Sequence, residues 1–303
     1  MKLAFFGTAE FAVPALQALA PWVGWVVSQP DRPSGRGLKL ATSPVKSAAI
    51  DLGLHVETPD RARSMEFVEQ VRSERFDALV VAAYGQILSE SLLTAAHRGG
   101  INLHGSILPE YRGAAPIQRC ILDGRSETGV TLMQMDWGMD TGDIIAIERV
   151  GIEPDETAGE LTPRLAATAA KMALEWMPRI IAGSYPRTAQ DGSLASYAPK
   201  VEKAEAQLRF ERPSRSEYNR FRAFTPSPGA YLETVFGVVR VSAARLGVAD
   251  GQIGTVLAGG EGCVVGFAEG SIDLLEVQPE GKRRMSGRDF ANGMRLRVGS
   301  SLR

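Results

Sequence analysis

The sequence predicts a doubly wound α/β domain with a mostly parallel sheet, followed by a small antiparallel β-barrel. Three observations predict it. The first half alternates near-continuous apolar runs with segments of helical spacing, the last third breaks into short β-like runs punctuated by glycine, and a stretch rich in turn residues separates the two. Apolar strands alternating with helices imply a parallel sheet covered on both faces, in which ligands bind beyond the carboxyl ends of the strands. Short strands at close spacing imply a small barrel.

Each element has its own signal. KLAFF (2–6), WVGWVVS (22–28), FDALVVAA (76–83), GINLH (100–104) and GVTLMQM (129–135) read as strands, and the spans Phe11 to Leu19 and Ser43 to Leu52 have helical spacing. Thr157 and Glu160 form a capping-box pattern ahead of Leu161, Leu165, Met172 and Trp176, which share one helical face up to Gly183. This helix closes a first domain over residues 1–184. Residues 185–204, with Pro186, Pro199 and "QDGS", lack sustained periodicity and read as a linker. A helical segment around Arg215 to Phe224 and the runs AYLETVFGVVRVSAARL, GQIGTVL, GCVVGFA and SIDLLEVQP then make a second domain over 205–303.

Composition sets bounds on function. At 303 residues the chain exceeds one typical domain of roughly 100 to 200 residues. A hydrophobic content of 44% with 23% charged residues allows a sizeable core and excludes a disordered or fibrous chain. No apolar run approaches the roughly 20 residues that cross a bilayer, and no signal or transit segment precedes the first strand, so the expected location is the cytoplasm. Cys120 and Cys263 lie far apart without CxxC spacing, which indicates neither a disulfide framework nor a zinc site. The net charge of -1 argues against indiscriminate nucleic-acid binding. Residues 203–303 nevertheless carry 15 Lys and Arg against 11 Asp and Glu, a basic balance that suits a polyanion and equally suits a solvated surface.

The chemistry concentrates in "GINLHGSILPEYRGAAP", residues 100–116. Residues two apart in a strand share a face, so Asn102 and His104 point together toward the crevice at the strand end. Of the three histidines, His55 and His97 sit among helix and loop residues without such company. A carboxylate is available in "DWGMDTGD", where Asp140 lies between Gly138 and Gly142, two glycines that permit tight backbone geometry. An amide, an imidazole and a carboxylate suit acyl transfer to an amine, whose tetrahedral intermediate develops a negative oxygen while the attacking nitrogen loses a proton. A donor aimed at that oxygen contributes roughly 10²- to 10³-fold and a positioned imidazole roughly 10²- to 10⁴-fold. The carboxylate fixes the imidazole's tautomer and stabilises its protonated form. No nucleophilic Ser or Cys is needed, because the amine itself attacks. The first strand ends "FFGTAEF" without G-x-G-x-x-G, which disfavours a dinucleotide-dependent oxidoreductase of the same architecture.

"INLHGSILPEYRGAAP" with Asp140 in "DWGMDTGDI" strongly resembles the 10-formyltetrahydrofolate-dependent formyltransferases, whose signature is Asn, His two residues later and a downstream Asp. The likeness continues through "AFFGTAEFAVPALQAL", "SQPDRPSGRGLKLATSPVKSAA", "VVAAYGQILSESLL" and "GKRRMSGRDFANG", and is greatest to members that formylate initiator methionyl-tRNA. The resemblance implies a Rossmann-like catalytic domain, an OB-like second domain, a monomer without metal, and attack by the methionyl α-amine on the formyl carbon of 10-formyltetrahydrofolate. It assigns the oxyanion to Asn102, either the shuttled proton or the stabilisation of charge to His104, and the holding of His104 to Asp140, and leaves open which of His104 and Asp140 holds the proton at each step. Ser106, Ile107, Leu108 and Pro109 match the folate-contacting turn. Tyr84, Gln86, Ile87 and Leu88 are similar to the segment lining the pteridine pocket, although the apolar ones are also ordinary core residues.

Arg32, Arg36, Lys39 and Lys46 stand against a single Asp31 in a segment broken by Pro33, Gly35 and Gly37. Composition alone describes a solvated loop, whereas a phosphate backbone is the polyanion such a loop neutralises. The resemblance makes it the loop that enters the acceptor stem, with an arginine at the place of Arg36, and Lys282, Arg283 and Arg284 extend the basic surface. Glu110 stands where an arginine is frequent, a reversal of charge near the rim of the site that disfavours a phosphate role at that position. Two other readings stay open: the same transfer to a nucleotide-sugar amine or glycinamide ribonucleotide, and an inactive RNA-binding module.

Overall fold

The computed structural model describes residues 1–34 and 39–303. The chain forms two compact units, the first comprising Met1–Pro116, Glu127–Gly151 and Thr162–Pro199, the second Ile117–Ser126, Ile152–Leu161 and Lys200–Arg303.

A seven-stranded sheet organises the first unit, in the order Ile144–Gly151, Glu127–Gln134, Gly100–His104, Ala78–Ala82, Leu3–Gly7, Val23–Val27, His55–Glu57. The strands Leu3–Gly7, Ala78–Ala82 and Gly100–His104 are buried along their whole length, which explains why they read as continuous apolar runs rather than alternating ones. Pairing is parallel from His55–Glu57 to Gly100–His104 and antiparallel for the last two strands. Phe6, Phe67, Phe76, Leu79 and Tyr84 pack in one core cluster of this unit, each such side chain stabilising by about 1.5–3 kcal/mol through burial.

The sheet exceeds the sequence reading by two strands. Ile144–Gly151 is a half-exposed edge interrupted by Glu148 and Arg149, and His55–Glu57 has only three residues, so neither shows a clear period. His55 thus lies on a strand and not among helix and loop residues, with Nε2 2.7 Å from Glu57 Oε1. Residues 185–199 run along the first unit, where Thr188 bridges Ile144 and Tyr197–Ala198 pairs in parallel with Arg112–Gly113.

Helix ends follow the predicted chemistry. Ser43 Oγ accepts from Lys46 N at the start of Pro44–Asp51. The capping box at Thr157 is closed in both directions, and Glu160, accepting from the Thr157 amide and hydroxyl, has its carboxyl held below the usual range. The helix Ala158–Ala182 ends at Gly183, whose φ of +76° is open to glycine at little cost.

Antiparallel strands dominate the second unit, where Tyr231–Thr234, Gly237–Gly247, Ser271–Pro279, Cys263–Gly266 and Val256–Gly259 pair in that order. Gln207–Leu208 adds to the Tyr231 edge in parallel. The helix Ser214–Ala223 contributes Tyr218 and Phe221 to a core shared with Phe210, Leu232, Val265 and Phe267. Arg222, buried, spends its guanidinium on the carbonyls of Glu153 and Glu156, both at 3.0 Å. Burial and the Asp273 charge push the Cys263 thiol up to about 11, so both cysteines are buried free thiols and this one is uncharged near neutrality. Among the described residues no helix is long and apolar enough to cross a membrane.

Candidate active site

Asn102 and His104 project from one face of the Gly100–His104 strand, and both are buried, at 8% and 6% exposure. Asp140 reaches both. Asn102 Nδ2 donates to Asp140 Oδ1 at 3.2 Å, and His104 Nδ1 lies 3.6 Å from Asp140 Oδ2. The amide, imidazole and carboxylate singled out in the sequence therefore converge.

The imidazole is oriented differently from the expectation. His104 Nε2 lies 2.9 Å from the carbonyl oxygen of Tyr111, and a carbonyl only accepts, so Nε2 carries the proton. In the neutral ring Nδ1 is then bare and faces the carboxylate. The backbone carbonyl, not Asp140, fixes the tautomer. Asp140 Oδ2 stands beyond full hydrogen-bond distance of Nδ1.

Strand direction makes the arrival of Asp140 less direct than a parallel sheet suggests. Gln134 pairs opposite Ile101 and Thr131 opposite His104, so the following loop starts beside the amino end of the Gly100–His104 strand and must double back. Asp136 Oδ1 closes it by accepting from Gly138 N at 3.0 Å and Thr141 Oγ1 at 2.7 Å. At Gly142 the chain passes so near its neighbour that a Cβ would lie 1.9 Å from Gln134 O, which explains the glycine by space and not by φ. Asp140 itself has a left-handed φ of +53°, and Tyr111, which supplies the carbonyl to His104, one of +59°. Each such non-glycine residue costs about 1–2 kcal/mol.

The residues expected to contact folate gather at the neighbouring strand ends. Val81 pairs with Asn102 in parallel register, so residues 83–88 and 105–109 leave the sheet side by side. The Ser106–Pro109 turn is pinned, with Thr131 Oγ1 accepting from Leu108 N at 3.0 Å and donating to Ser106 O at 2.6 Å, while Ser106 Oγ donates to Glu110 O at 2.7 Å. Gln86 braces the loop by accepting from Ala62 N at 3.0 Å and donating to Pro59 O at 3.3 Å. Ile87 is 75% exposed, Leu88 is buried, and Ile107 is half-buried. The Tyr84 ring meets Phe6 edge-on at 5.3 Å, and its buried hydroxyl has no hydrogen-bond partner among the described residues. Desolvation raises the phenol's pKa, so Tyr84 stays neutral. This short loop thus offers one exposed apolar side chain, Ile87, of the kind that fits a flat heteroaromatic ring.

Two basic residues of the first unit have polar partners in the structure. Arg32 is exposed and donates to Gln29 Oε1 at 2.8 Å, and Lys46 Nζ pairs with Asp31 Oδ2 at 2.8 Å. Lys39 begins a short strand, Lys39–Ala41, that pairs antiparallel with Arg32–Ser34. Arg36 lies outside the described residues. In the second unit Lys282, Arg283 and Arg284 are exposed, with Arg284 Nη1 3.5 Å from Glu276 Oε2. Among the described residues no group of three or more His, Cys, Asp or Glu side chains could hold a metal ion.

A sequence profile of the family described as "Formyl transferase" matches residues 1–178, and the profile of "Formyl transferase, C-terminal domain" matches 200–295. The chain belongs to the formyl transferase family. It is 43% identical over 302 residues to the methionyl-tRNA formyltransferase of Myxococcus xanthus, covering 99% of this chain and 97% of the relative. The methionyl-tRNA formyltransferase of Symbiobacterium thermophilum is 45% identical over 310 residues, with 99% and 94% covered. Among solved structures, the N-formyltransferase from Helicobacter canadensis in complex with folinic acid and dTDP-3-aminofucose matches with a TM-score of 0.66 at 19% identity, over 90% of this chain and 98% of that one. The sugar 3N-formyl transferase WlaRD matches with a TM-score of 0.67 at 20% identity, over 93% and 99%. At such identities these structures show a shared fold.

Three parts of this formyl transferase's site escaped the sequence reading. Tyr111 acts through its carbonyl, Gly113 through its amide, which donates to Asp140 Oδ2 at 2.9 Å, and Gln190 through contacts with the Asp140 loop. Backbone groups leave no residue-type signal, and Gln190 lay in a stretch without periodicity. The arginine and glycine of "YRGAAP" were visible, but nothing in their spacing tied them to Asp140.

Proposed function

We propose that this formyl transferase moves the formyl group of 10-formyltetrahydrofolate to the α-amine of initiator methionyl-tRNA. The observation that carries the reading is the convergence of Asn102, His104 and Asp140 beside a loop suited to a heteroaromatic ring. Full-length relatives of that name at 43% and 45% identity support the choice of acceptor.

The donor brings the activated formyl carbon, and the chain's residues do the rest. Asn102 uses one N–H of Nδ2 on Asp140 and directs the other at the formyl oxygen as it becomes negative. His104, with Nε2–H tied to Tyr111, accepts the amine proton at Nδ1 and returns it to the nitrogen that the formyl group leaves. Asp140 stabilises the imidazolium between those events. Ser106, Ile107, Leu108 and Pro109 with Tyr84, Gln86, Ile87 and Leu88 hold the donor. Residues 1–184 carry this chemistry, and residues 205–303, reached through 185–204, face the tRNA with Lys282, Arg283 and Arg284. Arg32, Arg36, Lys39 and Lys46 contact its acceptor end. The enzyme works as a monomer in the cytoplasm.

Transfer of labelled formyl from 10-formyltetrahydrofolate, with charged initiator tRNA compared against nucleotide-sugar amines and glycinamide ribonucleotide, tests the reading. Formylated methionyl-tRNA is the expected product. Preferential labelling of a small amine would replace tRNA as the acceptor while leaving the transfer chemistry in place.

A further inference from the structure

Gln190 joins two elements of the site that are remote in sequence. Its Nε2 donates to two carbonyl oxygens of the carboxylate loop, Asp140 O at 2.9 Å and Gly142 O at 2.7 Å. Its Oε1 accepts from Arg112 Nε and Nη2 at 3.1 and 2.7 Å. A primary amide meets both demands at once, whereas a carboxylate would meet only the second.

These bonds close a circuit. Gln190 holds the backbone of Asp140, the Asp140 carboxylate accepts from Gly113 N at 2.9 Å, and Gly113 adjoins Arg112, which returns to Gln190. The far side is anchored separately, because Arg112 N donates to Ser196 O and Ala114 N to Ala198 O, both at 2.8 Å. The circuit holds Asp140 at a φ of +53°, which a residue with a side chain keeps only when its surroundings compel it. Relaxation to negative φ would swing the carboxylate away from His104 and Asn102. Arg112 is buried, at 6% exposure, and its guanidinium is turned to an uncharged amide.

We propose that Gln190 is a positioning residue for the Asp140 carboxylate, acting through the loop backbone, and that Arg112 orients Gln190 and does not bind a substrate anion. The inference rests on the reading in which Asp140 supports His104. It makes a segment of linker-like sequence part of the catalytic machinery.

Two substitutions in the full chain separate the halves of the clamp. Gln190→Ala removes both, while Gln190→Glu keeps an acceptor for Arg112 and loses the donors to Asp140 O and Gly142 O. Both variants are expected to lower kcat by about 10- to 100-fold, the range for displaced supporting groups, with KM for either substrate within about twofold of wild type. Amide hydrogen exchange should quicken at Gly113 by about tenfold or more, while Arg112 and Ala114 keep their protection. A Glu variant with wild-type kcat, or exchange rising together at all three amides, would mean that Gln190 merely braces Arg112 or the fold, and would overturn the proposal. If Gln190→Ala fails to fold, the Glu variant decides alone. The exchange measurement needs no acceptor, so selective exposure of Gly113 would uphold the clamp even if methionyl-tRNA proved not to be the substrate.

Discussion

The Asp140 loop and the Lys282–Arg284 turn are both short, polar and glycine-punctuated in sequence, and they are held in opposite ways. Asp140 is engaged through its carboxylate by Asn102 and Gly113 and through its carbonyl by Gln190, at distances from 2.9 to 3.2 Å. Lys282, Arg283 and Arg284 are exposed, and the Arg284–Glu276 contact is a surface ion pair. The difference fits the roles proposed for the two segments. Proton transfer at one ring nitrogen needs a charge fixed to within a fraction of an ångström, whereas attraction of a polyanion needs only net charge at the surface.

The sharpest way to break this contrast is at the fixed end. His104→Ala is expected to reduce turnover by about 10²-fold or more, at a stability cost of about 1 kcal/mol for the lost bond to Tyr111 O. Steady-state formylation with thermal unfolding checks both, and near-normal turnover would remove His104 from its role. Asp140→Asn keeps the outline of the side chain, removes the charge and turns an NH2 toward one of the two donors, Asn102 Nδ2 or Gly113 N, so a loss of about 10- to 100-fold in kcat is expected. Equal activity of the Asn variant would mean that the carboxylate only holds geometry.

At the exposed end the effects should be on binding. Arg36→Ala is expected to weaken tRNA use while leaving folate binding intact, and an equal loss of both would count against the assignment of that loop. Neutralising Lys282, Arg283 and Arg284 one at a time should leave kcat unchanged and lower the slope of log K against log salt by about 1 for each residue that meets a phosphate. An unchanged slope would free that turn from any nucleic-acid role.

The smallest effect concerns stability alone. Arg119 donates to both oxygens of Glu205, at 2.6 and 3.0 Å, and holds its carboxyl below the usual range. The folded carboxyl therefore titrates below the unfolded one, and its contribution is complete above the unfolded value and lost as pH falls through the folded value. Arg119→Ala should cost about 1 kcal/mol in urea unfolding at pH 7 and progressively less in acid. A constant difference across that range would show that Arg119 acts by packing.

Legibility followed how local the signal was. The strands Leu3–Gly7, Ala78–Ala82 and Gly100–His104 were readable because burial on both faces leaves an unbroken apolar run. Asn102 and His104 could be paired because two-residue periodicity is a property of the strand itself. Asp140 was found by its glycine-flanked loop, although the direction of its approach was not, since antiparallel pairing reverses the end at which the loop begins. The edge strand Ile144–Gly151 stayed hidden because its burial on one side depends on a neighbour.

By itself the sequence determined which residue types stand at which spacing, hence the architecture, the two side chains on one strand face, and the glycines that let a loop turn tightly. Only the tertiary structure decided that Tyr111 O, and not Asp140, sets the imidazole tautomer, and that Gln190 holds the carboxylate loop across 50 residues of chain. The reason is physical. Periodicity and turn chemistry act between near neighbours, whereas a backbone carbonyl or a single amide gains its partner only when distant segments are packed together.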